Sequence, residues 1–263
     1  MSRPVSTLSS WVVVPRPAPS AGLRLFCFPY AGAGASVFYS WPRALPAEVE
    51  VCAVQFPGRE ARIAEPAFTD VHALVDVLAG ELAPWMDRPF AFFGHSNGAL
   101  IAFELARRLR RDGRRGPAHI FASGRPAPQV PLWEEPIHAL PEPEFLQALR
   151  RFKGTPEEIL QNAEIMEMVS PTLRADFSIS ETYEHVPEAP LSVPITVYGG
   201  RADEEVPEHT LDPWREQTAA AYQKVMFPGD HFFLNGDRDA LLRQLTAELR
   251  GVLGALGLAR VYA

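Results

Sequence analysis

The chain has 263 residues, a formal net charge of −7, 47% hydrophobic residues and 22% charged residues. This is the average composition of globular proteins and excludes a disordered class. The negative charge argues against nucleic acid as a partner, because phosphates require a basic surface. No apolar run approaches the roughly 18 residues of a membrane span, so we expect no membrane association and a cytoplasmic protein.

Short apolar runs alternate with helical patterns along the chain, which is typical of a mainly parallel sheet with helices on both faces. The sequence therefore predicts an α/β fold in a single domain that spans residues 1–263. Cys27 and Cys52 lie inside two of the apolar runs, where free thiols are expected and a disulfide is not. The predicted strands are 11–14, 25–28, 51–55, 90–93, 120–123, 195–198 and 224–227.

Three helices with apolar stripes are predicted between or after these strands. Thr69 or Asp70 can cap the first, which carries apolar residues at helical spacing. The second covers residues 99–109 and is ended by Gly113. The third covers residues 240–253. These segments supply the layers that cover the sheet.

Between about residues 126 and 190 the pattern changes, because no β-branched strand run occurs and several helical segments follow one another. Thr155 and Pro156 have the pattern of a cap followed by a first-turn proline. Pro171 is expected to open another helix that runs to Tyr183. We expect a helical lid inserted into the domain, whose apolar side chains either pack the insert together or line a tunnel for substrate. These side chains are Phe145, Leu149, Phe152, Ile159, Leu160, Ile165, Met166, Met168, Val169, Leu173, Phe177 and Ile179.

Residues 94–98 read GHSNG and match the G-x-S-x-G nucleophile elbow. The predicted strand before the motif and the predicted helix after it supply the strand, turn and helix that this motif requires. The two glycines let strand and helix approach closely while Ser96 adopts a strained backbone. The alternative is a glycine-rich turn without chemistry. We interpret Ser96 as the nucleophile of a serine hydrolase of the α/β-hydrolase type.

A serine hydroxyl needs a base to take its proton and an acid to orient that base. In this fold the chain order is serine, acid, histidine. Asp203 follows the strand 195–198 and is the first acid of its loop, with Glu204 or Glu205 as the alternative. His231 follows the last strand. The sequence therefore predicts a triad of Ser96, Asp203 and His231.

Acyl transfer also needs N–H donors for the oxyanion of the tetrahedral intermediate. The amide after the nucleophile belongs to Asn97. The second donor is expected in the loop after the strand 25–28, where Pro29 has no amide proton. Tyr30 or Ala31 must then supply it, and we favour Ala31.

Four motifs resemble those of the type II (editing) thioesterases that accompany polyketide synthases and nonribosomal peptide synthetases in antibiotic biosynthesis. They are residues 25–32 (LFCFPYAG), 55–60 (QFPGRE), 94–96 (GHS) and 229–233 (GDHFF). The resemblance spans about residues 23–253 in the order of the family. The chain departs from the family pattern at Asn97, where the family usually has methionine. The backbone amide of this residue is unaffected by the difference, but the acyl preference of the enzyme can differ.

The resemblance implies hydrolysis of acyl groups from the phosphopantetheine arm of acyl or peptidyl carrier proteins, which clears stalled or misprimed units. The phosphopantetheine belongs to the substrate, and no cofactor or metal is expected. We expect a monomer. An acidic carrier protein would need a basic surface on which to dock. One arginine-rich segment either provides this surface or is simply a solvated helix end. Its members are Arg107, Arg108, Arg110, Arg111, Arg114 and Arg115.

Three alternatives remain open, because none of the motifs distinguishes an enzyme for thioesters from one for oxygen esters. The first is a carboxylesterase or lipase, and the second is an acyltransferase that passes the acyl group to an acceptor other than water. The third is a non-catalytic binding module on a hydrolase scaffold. A thiol with a pKa near about 8.5 departs with little acid assistance, so the predicted triad suffices for thioesters.

Overall fold

A computed structural model describes residues 10–131, 135–152 and 154–258. Seven strands form one sheet in the order β1-β3-β2-β4-β5-β6-β7, which is parallel except for the pair of β1 and β3. All seven predicted strands are present, and their ends differ from prediction by no more than two residues. The strands are β1 (Val12–Val13), β2 (Leu23–Phe28), β3 (Val49–Val54), β4 (Phe90–His95), β5 (Ile120–Ser123), β6 (Ile195–Gly200) and β7 (Tyr222–Phe227).

Helices cover both faces of the sheet, which confirms the predicted α/β-hydrolase class. Helices α1 and α2 contribute to the apolar core on one face, and α7 contributes to the core on the other. No helix in the three described ranges combines the length and apolarity needed to cross a bilayer. The helices are α1 (Val71–Glu81), α2 (Asn97–Arg111), α3 (Glu142–Phe152), α4 (Glu157–Leu160), α5 (Ala163–Glu181), α6 (Phe233–Gly236) and α7 (Arg238–Ala255).

The central strands bury both of their faces, because successive side chains point to opposite sides of the sheet. Phe26 and Phe92 belong to the core beside α1 and α2. Leu25 and Phe93 belong to the core beside α7. All four are fully buried, so continuous apolar runs rather than alternating ones mark these strands in the sequence.

The predicted helix ends agree with the structure in the body and differ in the segment 126–190. Asp70 caps α1, since its side chain accepts from the Ala73 amide at 2.8 Å. The predicted cap at Thr155 was wrong, because Pro156 itself occupies the N-cap position of α4. The predicted start at Pro171 was also wrong. Helix α5 begins after Asn162, whose side chain accepts from the Ile165 amide.

Pro171 therefore lies inside α5, although a proline there lacks one backbone donor. The residues on either side of it are held by hydrogen bonds. Ser170 Oγ donates to Glu142 Oε1 at 2.9 Å, and Thr172 Oγ1 donates to the Gly58 carbonyl at 2.6 Å. These tertiary contacts explain why the helix continues through a position that local preference marks as a boundary.

The segment 126–190 carries α3, α4 and α5 and has an apolar cluster of its own. Most of the bulky side chains predicted to pack the insert do so, while Phe152 and Phe177 face a cavity described below. The role of the segment as a lid of a single domain stays a prediction. The cluster consists of Ile137, Phe145, Ala148, Leu149, Leu160, Met166 and Leu173.

A buried ion pair fastens α5 to the body of the protein. Arg59 Nη1 donates to Asp176 Oδ2 at 2.7 Å, and Arg59 Nη2 donates to Asp176 Oδ1 at 2.9 Å. Both side chains are almost completely buried. A bidentate pair of this kind is geometrically specific, so α5 is held in one position relative to the loop after β3.

The arginines at the C-terminal end of α2 are bound within the chain. Arg108 pairs with Asp112 at 3.0 Å. A helix of this length places its last turn roughly 22 Å from its first, and Ser96 precedes the first turn. The role of this patch as a dock for a carrier protein stays a prediction. Three further members pair with the carboxylate of Glu188: Arg107, Arg110 and Arg111.

We expect Asp176→Ala to lower the free energy of unfolding by about 3–5 kcal/mol, because the substitution leaves the Arg59 guanidinium buried without its partner. The measurement is urea-induced unfolding followed by circular dichroism. The control is Glu157→Gln, which breaks the exposed pair with Arg150 and should cost less than about 1 kcal/mol. Equal effects of the two substitutions would contradict the role given to the buried pair.

Candidate active site

Ser96 lies in a sharp turn between β4 and α2 with a left-handed backbone, φ 52° and ψ −118°. Such a conformation costs about 1–3 kcal/mol for a residue with a side chain. A Cβ atom on Gly94 would lie 2.1 Å from the Gly98 carbonyl oxygen, and one on Gly98 would lie 2.1 Å from that of Phe28. The turn therefore requires glycine at both positions, as the motif predicted.

Asp203 and His231 follow β6 and β7 and meet at the same edge of the sheet. His231 Nδ1 and Asp203 Oδ2 are 2.8 Å apart. The other carboxylate oxygen of Asp203 accepts from the amides of Glu205 at 3.0 Å and Val206 at 2.9 Å. The Asp203 side chain is completely buried. Asp203 is thus the acid that contacts Nδ1 of His231, while Glu204 is exposed.

The remaining ring nitrogen of His231 is left for the nucleophile. Ser96 and His231 line the same two cavities. In the described part of the chain no hydrogen bond joins Ser96 Oγ to His231 Nε2. Such bonds often tighten only when substrate binds, so the arrangement remains suited to a serine and its base.

Burial and hydrogen bonding act on the pKa of His231 in opposite directions. Burial lowers the pKa, but the hydrogen bond to Asp203 and the charge of Glu205 more than offset this, so the pKa is raised above the ordinary 6.5. Glu205 Oε2 lies 3.9 Å from His231 Nε2. The interactions that raise the pKa also stabilise the imidazolium that forms when a histidine takes the proton of a serine.

The two predicted oxyanion donors lie at the same cavity as Ser96, which both residues line. Asn97 is the first residue of α2, and helix geometry leaves its amide without an intrahelical acceptor. The amide of Ala31 has no acceptor among the described residues. The next amide, that of Gly32, donates to Asp176 Oδ2 at 2.7 Å.

The side chain of Asn97 has a contact of its own with α5. Asn97 Nδ2 donates to the backbone carbonyl of Asp176 at 2.6 Å. Asp176 thus contacts the loop that contains Ala31 through its carboxylate and the residue after Ser96 through its carbonyl. The residue by which this chain departs from the thioesterase pattern is therefore a link between the nucleophile turn and α5.

Ser96 lines two cavities, and a groove adjoins one of them. One of about 90 Å³ is lined by Ser96, His231 and residues of the loop after β5. A second of about 60 Å³ is lined by Ser96, Phe152 and Phe177. A groove of about 350 Å³ runs between the Ala31 loop and the segment 126–190. The groove shares with the second cavity the residues Tyr30, Ala31, Gly154, Thr155 and Leu173.

Sequence reasoning missed the roles of Asp176 and Arg125. Asp176 is one polar residue on a helix that has many, and nothing local marks it as the partner of Arg59. Arg125 lies in the loop after β5 and lines the cavity at Ser96. The signal in the sequence was the position of Arg125 in the loop after a strand of a parallel sheet, where functional residues gather.

Comparisons with known proteins agree with this geometry. Residues 23–249 match the Thioesterase domain family. The gramicidin S biosynthesis protein GrsT of Aneurinibacillus migulanus is 46% identical over 249 residues, which are 95% of this chain and 97% of that protein.

Solved structures agree as well. The RedJ thioesterase from the prodiginine pathway of Streptomyces coelicolor superposes with a TM-score of 0.83 at 36% identity, covering 94% of this chain and 96% of that one. The type II thioesterase BorB from the borrelidin biosynthetic cluster gives 0.82 at 35% identity, covering 92% and 98%.

We expect Glu205→Gln to lower the pKa of His231, because the carboxylate of Glu205 favours the protonated imidazole. The measurement is an NMR titration of the His231 ring. The matched control is Glu204→Gln at the exposed neighbouring position, which should leave the titration unchanged. A midpoint that stays fixed in Glu205→Gln, or rises, would refute this assignment.

Proposed function

The chain belongs to the thioesterase domain family, and from this we propose that it hydrolyses the thioester between an acyl group and the phosphopantetheine arm of an acyl or peptidyl carrier protein. The proposal is carried by the cavity at which Ser96 faces the bonded pair of His231 and Asp203. It is supported by relatives named for gramicidin S and borrelidin biosynthesis. By this analogy the enzyme removes stalled or misprimed units from a synthase.

In the first half of the proposed reaction, Ser96 Oγ attacks the thioester carbonyl carbon while His231 Nε2 takes the hydroxyl proton. The oxyanion of the tetrahedral intermediate accepts from the amides of Asn97 and Ala31. Asp203 holds the imidazole in the required tautomer. The C–S bond then breaks, the thiol leaves with the proton from His231, and an acyl ester of Ser96 remains.

In the second half, His231 Nε2 takes a proton from water, and the hydroxide attacks the acyl carbon in the same oxyanion site. Collapse of this intermediate breaks the ester bond and returns the proton to Ser96 Oγ. The products are a carboxylic acid and the free thiol of the carrier arm. The phosphopantetheine is part of the substrate throughout.

The cavities suggest how a carrier-bound substrate enters. The groove of about 350 Å³ leads along the Ala31 loop toward the second cavity at Ser96. Because the groove adjoins the second cavity through shared residues, an arm that lies in the groove would end at Ser96. We infer that the arm lies in the groove and the acyl group lies in the 90 Å³ cavity beyond Ser96.

We expect Ser96→Ala to lower kcat for acyl-carrier thioesters by at least about 1,000-fold, since removing the nucleophile of a triad removes nearly all of its contribution. The assay follows release of the carrier thiol over a series of acyl chain lengths. Ser20→Ala, a change at an exposed serine, is the control and should retain full activity. Undiminished turnover in Ser96→Ala would exclude the acyl-enzyme.

The same enzyme is expected to show a higher kcat/KM for acyl-carrier thioesters than for p-nitrophenyl esters of the same acyl group, because only the former fill the groove. A truncated acyl-pantetheine substrate, which keeps the arm without the carrier, isolates the contribution of the groove. Equal or higher kcat/KM for the oxygen ester would instead indicate a carboxylesterase.

A further inference from the structure

Arg125 has a position that the proposed reaction does not use. It follows β5 directly, only 8% of the residue is exposed, and it lines the 90 Å³ cavity together with Ser96 and His231. Trp214 Nε1 donates to the Arg125 backbone carbonyl at 2.9 Å. The backbone of Arg125 is thus held in place, and the residue lines the space assigned above to the acyl group.

The guanidinium has few partners for its five N–H donors. Its Nη1 donates to Ser180 Oγ of α5. Within the described ranges, no carboxylate forms an ion pair with it. Burial lowers the pKa of Arg125 to about 10, which leaves the group cationic at neutral pH.

The other buried arginines of the described chain are all paired with carboxylates. Arg125 is the exception. A buried cation without a directly bonded carboxylate is costly, and this one belongs to a residue that lines a cavity at Ser96. The four pairs are Arg24 with Glu50, Arg59 with Asp176, Arg62 with Glu65 and Arg107 with Glu104.

We propose that Arg125 donates hydrogen bonds to a neutral carbonyl or hydroxyl oxygen on the acyl chain, so that the enzyme prefers oxygenated acyl groups to alkyl groups of equal length. Arg125 is thus a specificity-determining residue. The inference rests on the proposed thioesterase function and adds to it the chemistry of the acyl group.

A neutral oxygen fits the cavity better than a second carboxylate does. Glu135 and Glu181 line the same space as Arg125. Glu181 already accepts from the amides of Ile137 at 2.9 Å and His138 at 3.0 Å, so its charge is held in place. An acyl carboxylate would approach these anions, whereas a carbonyl oxygen gains the bond from Arg125 without that repulsion.

The experiment compares three pantetheine thioesters of nearly equal size: acetoacetyl, butyryl and malonyl. For the wild type we expect the highest kcat/KM with acetoacetyl. In Arg125→Met the ratio of acetoacetyl to butyryl kcat/KM should fall about 10- to 100-fold, because a hydrogen bond from a charged donor contributes a factor of this size. Comparing this ratio between the wild type and the variant cancels the intrinsic reactivity of each thioester.

Two controls separate recognition from a structural role. Arg201→Met makes the same change at an exposed position and should leave the ratio unchanged. Arg125→Lys keeps the cation and should keep part of the preference, mainly in KM. An equal loss on acetoacetyl and butyryl thioesters in Arg125→Met would show that Arg125 merely holds α5, and would overturn the proposal.

Binding to Ser96→Ala tests the same point without any change at Arg125. Calorimetry should give a Kd for acetoacetyl-pantetheine about 10-fold lower than for butyryl-pantetheine. Equal Kd values, or tightest binding of malonyl-pantetheine, would overturn the assignment of a neutral acceptor. If the wild type hydrolyses none of the three thioesters, the proposed function fails; if it hydrolyses butyryl-pantetheine without any preference, only the role of Arg125 fails.

Discussion

The close approach of α2 to the end of β2 is the constraint on which the site depends. The backbone of Gly98 lies against the Phe28 carbonyl so closely that a Cβ atom would overlap it. This contact brings the loop with Ala31 beside the turn with Ser96, so that two free amides border one cavity. The strained backbone of Ser96 follows from it, because a relaxed turn would separate strand and helix.

A second constraint joins this turn to α5. The carboxylate of Asp176 binds both the Gly32 amide and the Arg59 guanidinium, and its carbonyl accepts from Asn97. The side chains of Arg59, Asn97 and Asp176 are buried, which makes their bonds costly to lose. Helix α5 therefore cannot leave its place without releasing the loop that carries a predicted oxyanion donor. The position of α5 and the geometry of the predicted oxyanion site therefore share one set of contacts.

The difference between what local patterns predicted and what they missed has a physical origin. Apolar runs predicted every strand, and the order of Ser96, Asp203 and His231 placed three side chains at one sheet edge, because parallel strands end together. Proline preferences failed at Pro171, where contacts of Thr172 with Gly58 override them. Asp176 and Gly32 are 144 residues apart, and no local pattern encodes such a pair.

The charges that matter to the site are the few that are buried. The net charge of −7 belongs mostly to exposed groups, whose fields water and salt screen. Inside the cavity, Glu205 raises the pKa of His231 while Arg125 lowers it. A neutral oxygen of the substrate that accepts from Arg125 leaves the net charge of the guanidinium unchanged. Arg125 thus acts on two groups at this cavity: it lowers the pKa of His231 and, in our proposal, it binds the acyl group, although it takes no part in proton transfer.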